Sequence, residues 1–339
     1  PFDPTRASIF VTSVTATCVR MLNNVDEERY QCTADLTELS PNSTYYVAAK
    51  VQVKYTGYIY TSLYKYRTAP DAKSSAASAI NFVNGGDFQW SESGKALAKF
   101  AAQQEPLFAI IGGDVVYENG NPFCYLRYDY WLTNWQSIMI TPSNYSIPLL
   151  TSVGNHESGG FMRPKSDDQF YLQFFPHELG IADVEPVARK TYHEHVFGDH
   201  TLILVLDSFV HESPANQKQY LSDTLQKYAH VKNKYAVYHV ALYPSKPDDT
   251  VDIVALVRAN WGPIFDQYNL TIGFENHFHT YKVSYPVRNN TIVPAGEGTI
   301  YLGDGCWGVP SGGAVKMPFL EEVGNYAHVH VIEASAEGT

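Results

Sequence analysis

Four cysteines in 339 residues are too few for a disulfide scaffold, and the absence of any C-x-x-C argues against a structural zinc site. No apolar run approaches the roughly 18 consecutive residues that a membrane-spanning helix needs, and the first residues lack the basic-then-apolar layout of a signal peptide. Basic residues are scarce: 24 Lys and Arg stand against 35 Asp and Glu, a formal net charge of −11. That balance argues against nucleic acid or an anionic membrane surface as a partner, because both require clustered cations. Any anionic substrate would need positive charge from a source other than side chains. Internal repeats and low-complexity tracts are absent. A chain that opens at Pro1 and stops at Thr339, within what reads as a strand or its tail, reads as a processed or trimmed piece.

What is present is a globular composition. With 45% hydrophobic residues the chain can bury a large core, and its length suggests about two domains. Cys18 and Cys32 lie in successive strand-like segments, where a bridge would close a short loop and contribute about 3 kcal/mol. Cys124 and Cys306 sit in long loops and form a candidate second pair. Four N-x-[S/T] sequons, at Asn42, Asn144, Asn269 and Asn289, together with 25 tyrosines fit a secreted, lumenal or cell-surface glycoprotein.

Residues 1–70 read as short strands, "ATCVRML", "RYQCTADL", "TYYVAAKVQV" and "SLYKYRT", separated by polar turns. About 70 residues is short of the ~100 of a complete β-sandwich, so this segment reads as a partial one. "APDAKSSAAS" (69–78) has the composition of a linker. From 71 to 339 the texture becomes α/β. Near-continuous apolar runs such as "AINFVN", "LFAII", "LILVLD", "YAVYHVAL" and "LTIGF" are those of strands covered on both faces. Between them lie helical patterns, including "ESGKALAKFAAQQ", "LRYDYWLTNWQSIM", "NQKQYLSDTLQKYA" and "DIVALVRANWGPIFDQY". The closing segments "TIYLGDG" and "AHVHVIEA" add strands without helices, which predicts mixed sheets.

The informative pattern lies at the strand ends. "AINFVNGG" ends in Asp87, "LFAIIGG" in Asp114 with Tyr117 three residues on, and "LLTSVG" in Asn155 and His156. "YAVYH" carries His239, and "LTIGFEN" delivers His277 and His279. Ligands of open α/β sheets gather beyond the carboxyl ends of the strands, so five segments aim oxygen and nitrogen donors at one place. Each feature alone has a bland reading: a turn aspartate, a hydrogen-bonded core histidine, a solvent-facing His-x-His. If the last strand persists through His279, both of its imidazoles point to one side.

Taken together, "GD" (86–87), "GDVVY" (113–117), "GNHE" (154–157), "HVALY" (239–243) and "HFH" (277–279) resemble the five ordered metal-binding blocks of the purple acid phosphatases, within the calcineurin-like metallophosphoesterases. The likeness extends to "NGNPFCYLRYDYW" and "TIYLGDG". The resemblance implies a four-layer αββα sandwich of mixed sheets, preceded by a small, partial fibronectin-III-like β-sandwich. It also implies two metals bridged by Asp114, one held by Asp87, Tyr117 and His279, the other by Asn155, His239 and His277. Carboxylates with a phenolate suit Fe(III); imidazoles with an amide oxygen suit a divalent Zn, Fe or Mn. The implied activity is that of an acid phosphatase, cleaving phosphomonoesters with a metal-bound hydroxide. His156 is the candidate to contact the phosphoryl oxygens or protonate the leaving oxygen, with a loop role as its alternative, and Glu157 the candidate to orient a neighbouring His or backbone group. Alternatives are a phosphodiesterase or nucleotide pyrophosphatase on the same site, or a non-catalytic surface protein that retains the fold.

The chain departs from the family pattern in four places. Asp87 is followed by "FQW", whose Trp90 either lines the pocket or covers the core. Asn276 stands where relatives have Gly, and Ala241 where they have Pro. The paired histidines of plant relatives are replaced by "SKPDDT" (245–250), where Lys246 is either a phosphate contact or an exposed loop lysine. His193, His195, His200, His328 and His330 read as structural, and Tyr128, Trp131 and Trp135, at helical spacing, read as packing.

Overall fold

The computed structural model describes residues 12–21, 29–53, 57–71, 79–168, 170–248 and 250–339. Six short strands come first: β1 (Thr17–Arg20), β2 (Tyr30–Thr33), β3 (Thr44–Val47), β4 (Lys50–Val53), β5 (Gly57–Tyr60) and β6 (Tyr64–Arg67). Among the described residues they pair only as separate two-stranded ladders, β1 with β2, β3 with β6 and β4 with β5. Among the described residues these ladders are not joined into the sheets of the expected partial sandwich, and residues 72–78 of the expected linker lie outside the described residues. The physical reason is visible in the burial: Met21 is the one buried apolar residue before Ile80 among those described, so these ladders enclose no core of their own. They lean on the rest of the chain instead. Arg29 pairs with Asp129 at 2.6 Å, Lys65 Nζ donates to the Ser143 carbonyl at 2.9 Å, and Ser146 N–H donates to the Lys65 carbonyl at 2.7 Å. The Cys18–Cys32 disulfide joins directly opposed residues of β1 and β2. Cys124 and Cys306 do not pair; both are free thiols, and the buried Cys306 Sγ donates to the Val309 carbonyl instead.

The α/β region begins with β7 (Ile80–Gly85), α1 (Glu92–Gln103), β8 (Phe108–Gly112), α2 (Tyr125–Ile138), β9 (Leu149–Ser152) and two single-turn helices, α3 (Asn155–Ser158) and α4 (Tyr171–Phe174). There follow β10 (His193–Phe197), β11 (Thr201–Val205), α5 (Lys218–Lys227), β12 (Asn233–Val240), α6 (Val251–Tyr268), β13 (Ile272–Asn276) and β14 (Tyr281–Ser284). The chain closes with β15 (Val287–Arg288), β16 (Thr291–Ile292), β17 (Ile300–Gly303), β18 (Leu320–Gly324) and β19 (His330–Ala334).

Two mixed sheets result. The smaller runs β19-β7-β8-β9, with β7, β8 and β9 parallel and β19 antiparallel at the edge. The larger runs β10-β11-β12-β13-β17-β14-β18, parallel from β11 to β17. They pack face to face through Ile80, Phe82, Phe108 and Ile110 of one and Val205, Tyr235, Val237 and Phe274 of the other. Phe82 stacks on Phe108 at 5.1 Å and meets Phe274 edge-on at 6.1 Å, the geometries that aromatic quadrupoles favour. Outside the small sheet, α1 lays Ala98, Ala101 and Ala102 against the core, while α2 lays down Tyr128, Trp131 and Trp135, one helical stripe. Ser91 caps α1 by accepting the Gly94 N–H at 3.1 Å. Outside the large sheet, α5 and α6 contribute Leu221, Leu225, Val257, Trp261 and Phe265. The order of layers is αββα. Trp90 belongs to the core: it is 8% exposed and meets Phe88 at 4.5 Å. No helix among the described residues is long and apolar enough to cross a membrane.

Candidate metal centre

The parallel strands of both sheets end on the same side of the molecule. Asp87 follows β7, Asp114 follows β8, Asn155 and His156 open α3 after β9, His239 is the penultimate residue of β12, and His277 and His279 follow β13. Strand ends alone do not aim these side chains. Asp87, Asp114, Tyr117, His277 and His279 all adopt positive φ, between 53° and 79°. That region costs a non-glycine residue roughly 1 kcal/mol or more, and a bulky tyrosine seldom enters it. Such strain persists only where surrounding contacts over-determine it. Here the Asp87 N–H donates to the Gly113 carbonyl at 3.0 Å, the His279 N–H to the Asp304 carbonyl at 2.9 Å, and the His277 N–H to Asp87 Oδ2 at 2.9 Å.

The condition under which His277 and His279 would share a strand face is not met by this backbone. β13 stops at Asn276, and the two rings diverge. His279 Nε2 lies 3.0 Å from Asp87 Oδ1 and 3.5 Å from the Tyr117 hydroxyl. His277 Nδ1 lies 3.2 Å from His239 Nε2, which is itself 2.9 Å from Asn155 Oδ1. The donors thus form two groups, Asp87, Asp114 and His279 in one and Asp114, His239 and His277 in the other, with the ligand atoms of each within 4.8 Å of one another. Asp114 belongs to both.

The donor chemistry fits cations. Asp114 Oδ1 accepts the His156 N–H at 2.9 Å, while Oδ2 is buried without a hydrogen bond, 3.4 Å from His239 Nε2. Burial opposes ionisation of Asp114, yet His239 and His156 outweigh it and hold the carboxyl far below its usual range. Burial likewise opposes charge on His239, but Asp114 and Asp87 push it up to about 9. Burial and then the same two carboxylates push the Tyr117 phenol far above its ordinary value. Two fully buried carboxylates with only histidines to balance them, one carrying an orphaned oxygen, are costly without a further positive charge. His239 Nδ1 faces the Gly112 carbonyl at 3.0 Å, which in the neutral ring leaves the Nε2 lone pair turned into the centre.

Several side chains support the donors. Glu157, buried, accepts the N–H groups of Val115 (2.7 Å), Gly154 (2.7 Å) and Asp114 (2.9 Å), so it orients backbone rather than a histidine. Asn276 fills the space where Cβ atoms on Gly86 and Gly112 would stand, 2.2 and 1.9 Å from its amide, and donates to the Tyr238 carbonyl at 2.8 Å. Gly305 admits Asp87, whose Oδ2 would lie 1.8 Å from a Cβ there. The buried Lys282 ammonium binds Glu275 and, at 2.6 Å, Asp304, tying the ends of β13 and β17 together. His156 stands half-exposed at the rim, its ring 4.5 Å from that of Tyr117 and its Nδ1 paired with Asn119 Oδ1. Asp248, which no motif singled out, faces His277 Nε2 at 3.5 Å; burial works against its charge, but the bonds to His277 and Thr250 hold its carboxyl at about 2. Lys246 is half-buried and donates to the Gly312 carbonyl at 3.1 Å. A groove of about 650 Å³ between β6 and α2 lies away from these donors.

Neither a family model nor a curated protein sequence matches the chain. Solved structures do. The purple acid phosphatase PPD1 from yellow lupin (Lupinus luteus) seeds superposes with a TM-score of 0.72 at 16% identity, over 95% of this chain and 62% of that one. PhoD gives 0.68 at 13% identity, over 96% of this chain and 79% of its own. GAP50, the anchor in the inner membrane complex of Plasmodium, gives 0.53 at 14% identity, over 77% and 82%. The chain therefore spans about three fifths of the length of the lupin phosphatase. At these identities the likeness is one of architecture, and the architecture is that of a purple acid phosphatase-like metallophosphoesterase.

Proposed function

We propose that the chain is a binuclear metal-dependent phosphatase that hydrolyses phosphomonoesters. The observation that carries this is the pair of donor groups sharing Asp114. On this reading Asp87, Tyr117 and His279 hold Fe(III), and Asn155, His239 and His277 hold a divalent Zn, Fe or Mn ion. When bound, the two cations would supply neutralisation of the phosphoryl charge and an activated water. The chain's own part is to hold these donors in a strained, buried cradle. His156 adds a mobile proton at the rim. Burial lowers its pKa against the attraction of Asp114, and on this reading its ring contacts the phosphoryl oxygens or donates to the leaving oxygen.

The test is metal analysis, a visible spectrum and hydrolysis of a mono-aryl phosphate on one sample, before and after Asp114→Asn. Two metals, a tyrosinate-to-iron band and activity should all collapse in the variant. Tyr117→Phe should lose the band and keep the other donors. Colour surviving Asp114→Asn would show the shared carboxylate to be misassigned. Preference for a bis-aryl over a mono-aryl phosphate would favour a phosphodiesterase, and full metallation without turnover a scaffold role. The disulfide and four sequon asparagines, all exposed and all at positive φ in turns, support a secreted glycoprotein, and the change from two-stranded ladders to the α/β layers supports a domain boundary near residue 70. Unchanged electrophoretic mobility after glycosidase treatment of the natural protein would refute the glycosylation.

A further inference from the structure

Asp248 lies in the 245–250 loop, one of the segments in which this chain departs from the phosphatase pattern. Its two oxygens have different partners. Oδ1 accepts from the Thr250 N–H at 2.8 Å and from the Thr250 hydroxyl at 2.5 Å, just before α6. Thr250 is 3% exposed, so the carboxylate is anchored to a buried residue. Oδ2 is thereby turned toward His277 Nε2, 3.5 Å away. The other nitrogen of that ring, Nδ1, faces His239 Nε2 at 3.2 Å. In a neutral imidazole one nitrogen carries the proton and the other the lone pair, and a carboxylate beside one nitrogen places the proton there.

We propose that Asp248 is a positioning residue of the metal centre: it holds His277 as the Nε2–H tautomer and so presents the Nδ1 lone pair to the cation shared with Asn155, His239 and Asp114. The inference rests on the two-cation reading given above. It makes the SKPDDT loop a part of the centre that acts through His277, in place of a loop that touches phosphate.

A simpler role for Asp248 is to close the turn before α6 and favour the positive end of the helix. Asp248→Asn separates the two. The amide keeps an oxygen for Thr250 but offers His277 no carboxylate. Metal-stripped wild type and variant are titrated with Zn(II) against a chromogenic chelator. Removing a carboxylate partner of a ligating histidine typically weakens the ion about 10- to 100-fold, so that loss is expected for one of the two ions, with the other and the thermal midpoint of the metal-free protein unchanged. A second readout needs neither metal nor turnover. Long-range proton–nitrogen correlation spectra of the metal-free wild type, with His277 identified by its loss in His277→Gln, should show the proton on Nε2, and Asp248→Asn should shift it toward Nδ1. Zinc affinity within twofold of wild type, or a wild-type ring protonated at Nδ1, overturns the inference. Wild type that binds two zinc ions while the variant is unaltered sinks this inference alone; wild type that binds none sinks the two-cation reading with it.

Discussion

Replacing His193 with phenylalanine should flatten the acid side of the stability profile. His193 opens β10, is 3% exposed, stacks on His177 at 4.3 Å and has no hydrogen-bond partner at Nε2. Burial, reinforced by His177 and His195, holds its pKa well below the ordinary 6.5. The folded ring therefore stays neutral where the unfolded ring takes a proton. Its contribution to stability is complete above 6.5 and is lost as the pH falls below that value. From 6.5 down to pH 5.0 the loss is ~2 kcal/mol, at about 1.4 kcal/mol per pH unit. Phenylalanine has no proton to take. Whatever the substitution costs at pH 7.5, the variant should gain ~2 kcal/mol on wild type by pH 5.0. His177 and His195, lowered by burial to about 3 and about 4, titrate in both proteins and cancel in the comparison. The assay is urea unfolding of the metal-free proteins at both pH values, followed by tryptophan fluorescence. Parallel loss of stability in the two proteins would refute the reasoning, because it would mean that His193 is already protonated in the folded chain.

Two further substitutions probe the cradle. Lys282→Met leaves Glu275 and Asp304 buried without their cation and should cost about 3–5 kcal/mol, read by denaturant unfolding. Asp304 is already pushed up to about 6, by burial first and by Glu275, so part of that cost should be recovered at pH 5; a loss under about 1 kcal/mol would refute the pairing as a structural tie. Gly305→Ala meets both a positive φ of 59° and the Asp87 carboxylate, so the ion on the Asp87 side should be lost while the ion on the His239 side is retained; two metals per chain by elemental analysis would contradict it.

Helices and strands of the α/β region were legible because burial on both faces writes near-continuous apolar runs, and burial on one face writes the Tyr128, Trp131, Trp135 stripe. The donors could be named because each stands next to the end of such a run. In the first 70 residues alternating strand patterns showed local pairing but not how the ladders join, because, among the described residues, apolar burial there is confined to Met21. The Cys124–Cys306 pairing failed because loop position says nothing of thiol approach. Whether His277 and His279 share a face is conditional on the strand continuing, because nothing local announces that it stops at Asn276.

The amino-acid order by itself determined the α/β texture and set candidate donors after the strand ends, since hydrophobic periodicity and the residue after a strand are local properties; the four layers were implied only by the family resemblance. Only the tertiary structure decided why Gly305 and Asn276 stand where they do and that Asp248 faces His277. Those facts depend on contacts between segments far apart in the chain, and on left-handed backbone that distant hydrogen bonds hold in place. Sequence carries the donors to one edge of the molecule; packing sets the direction in which each lone pair points.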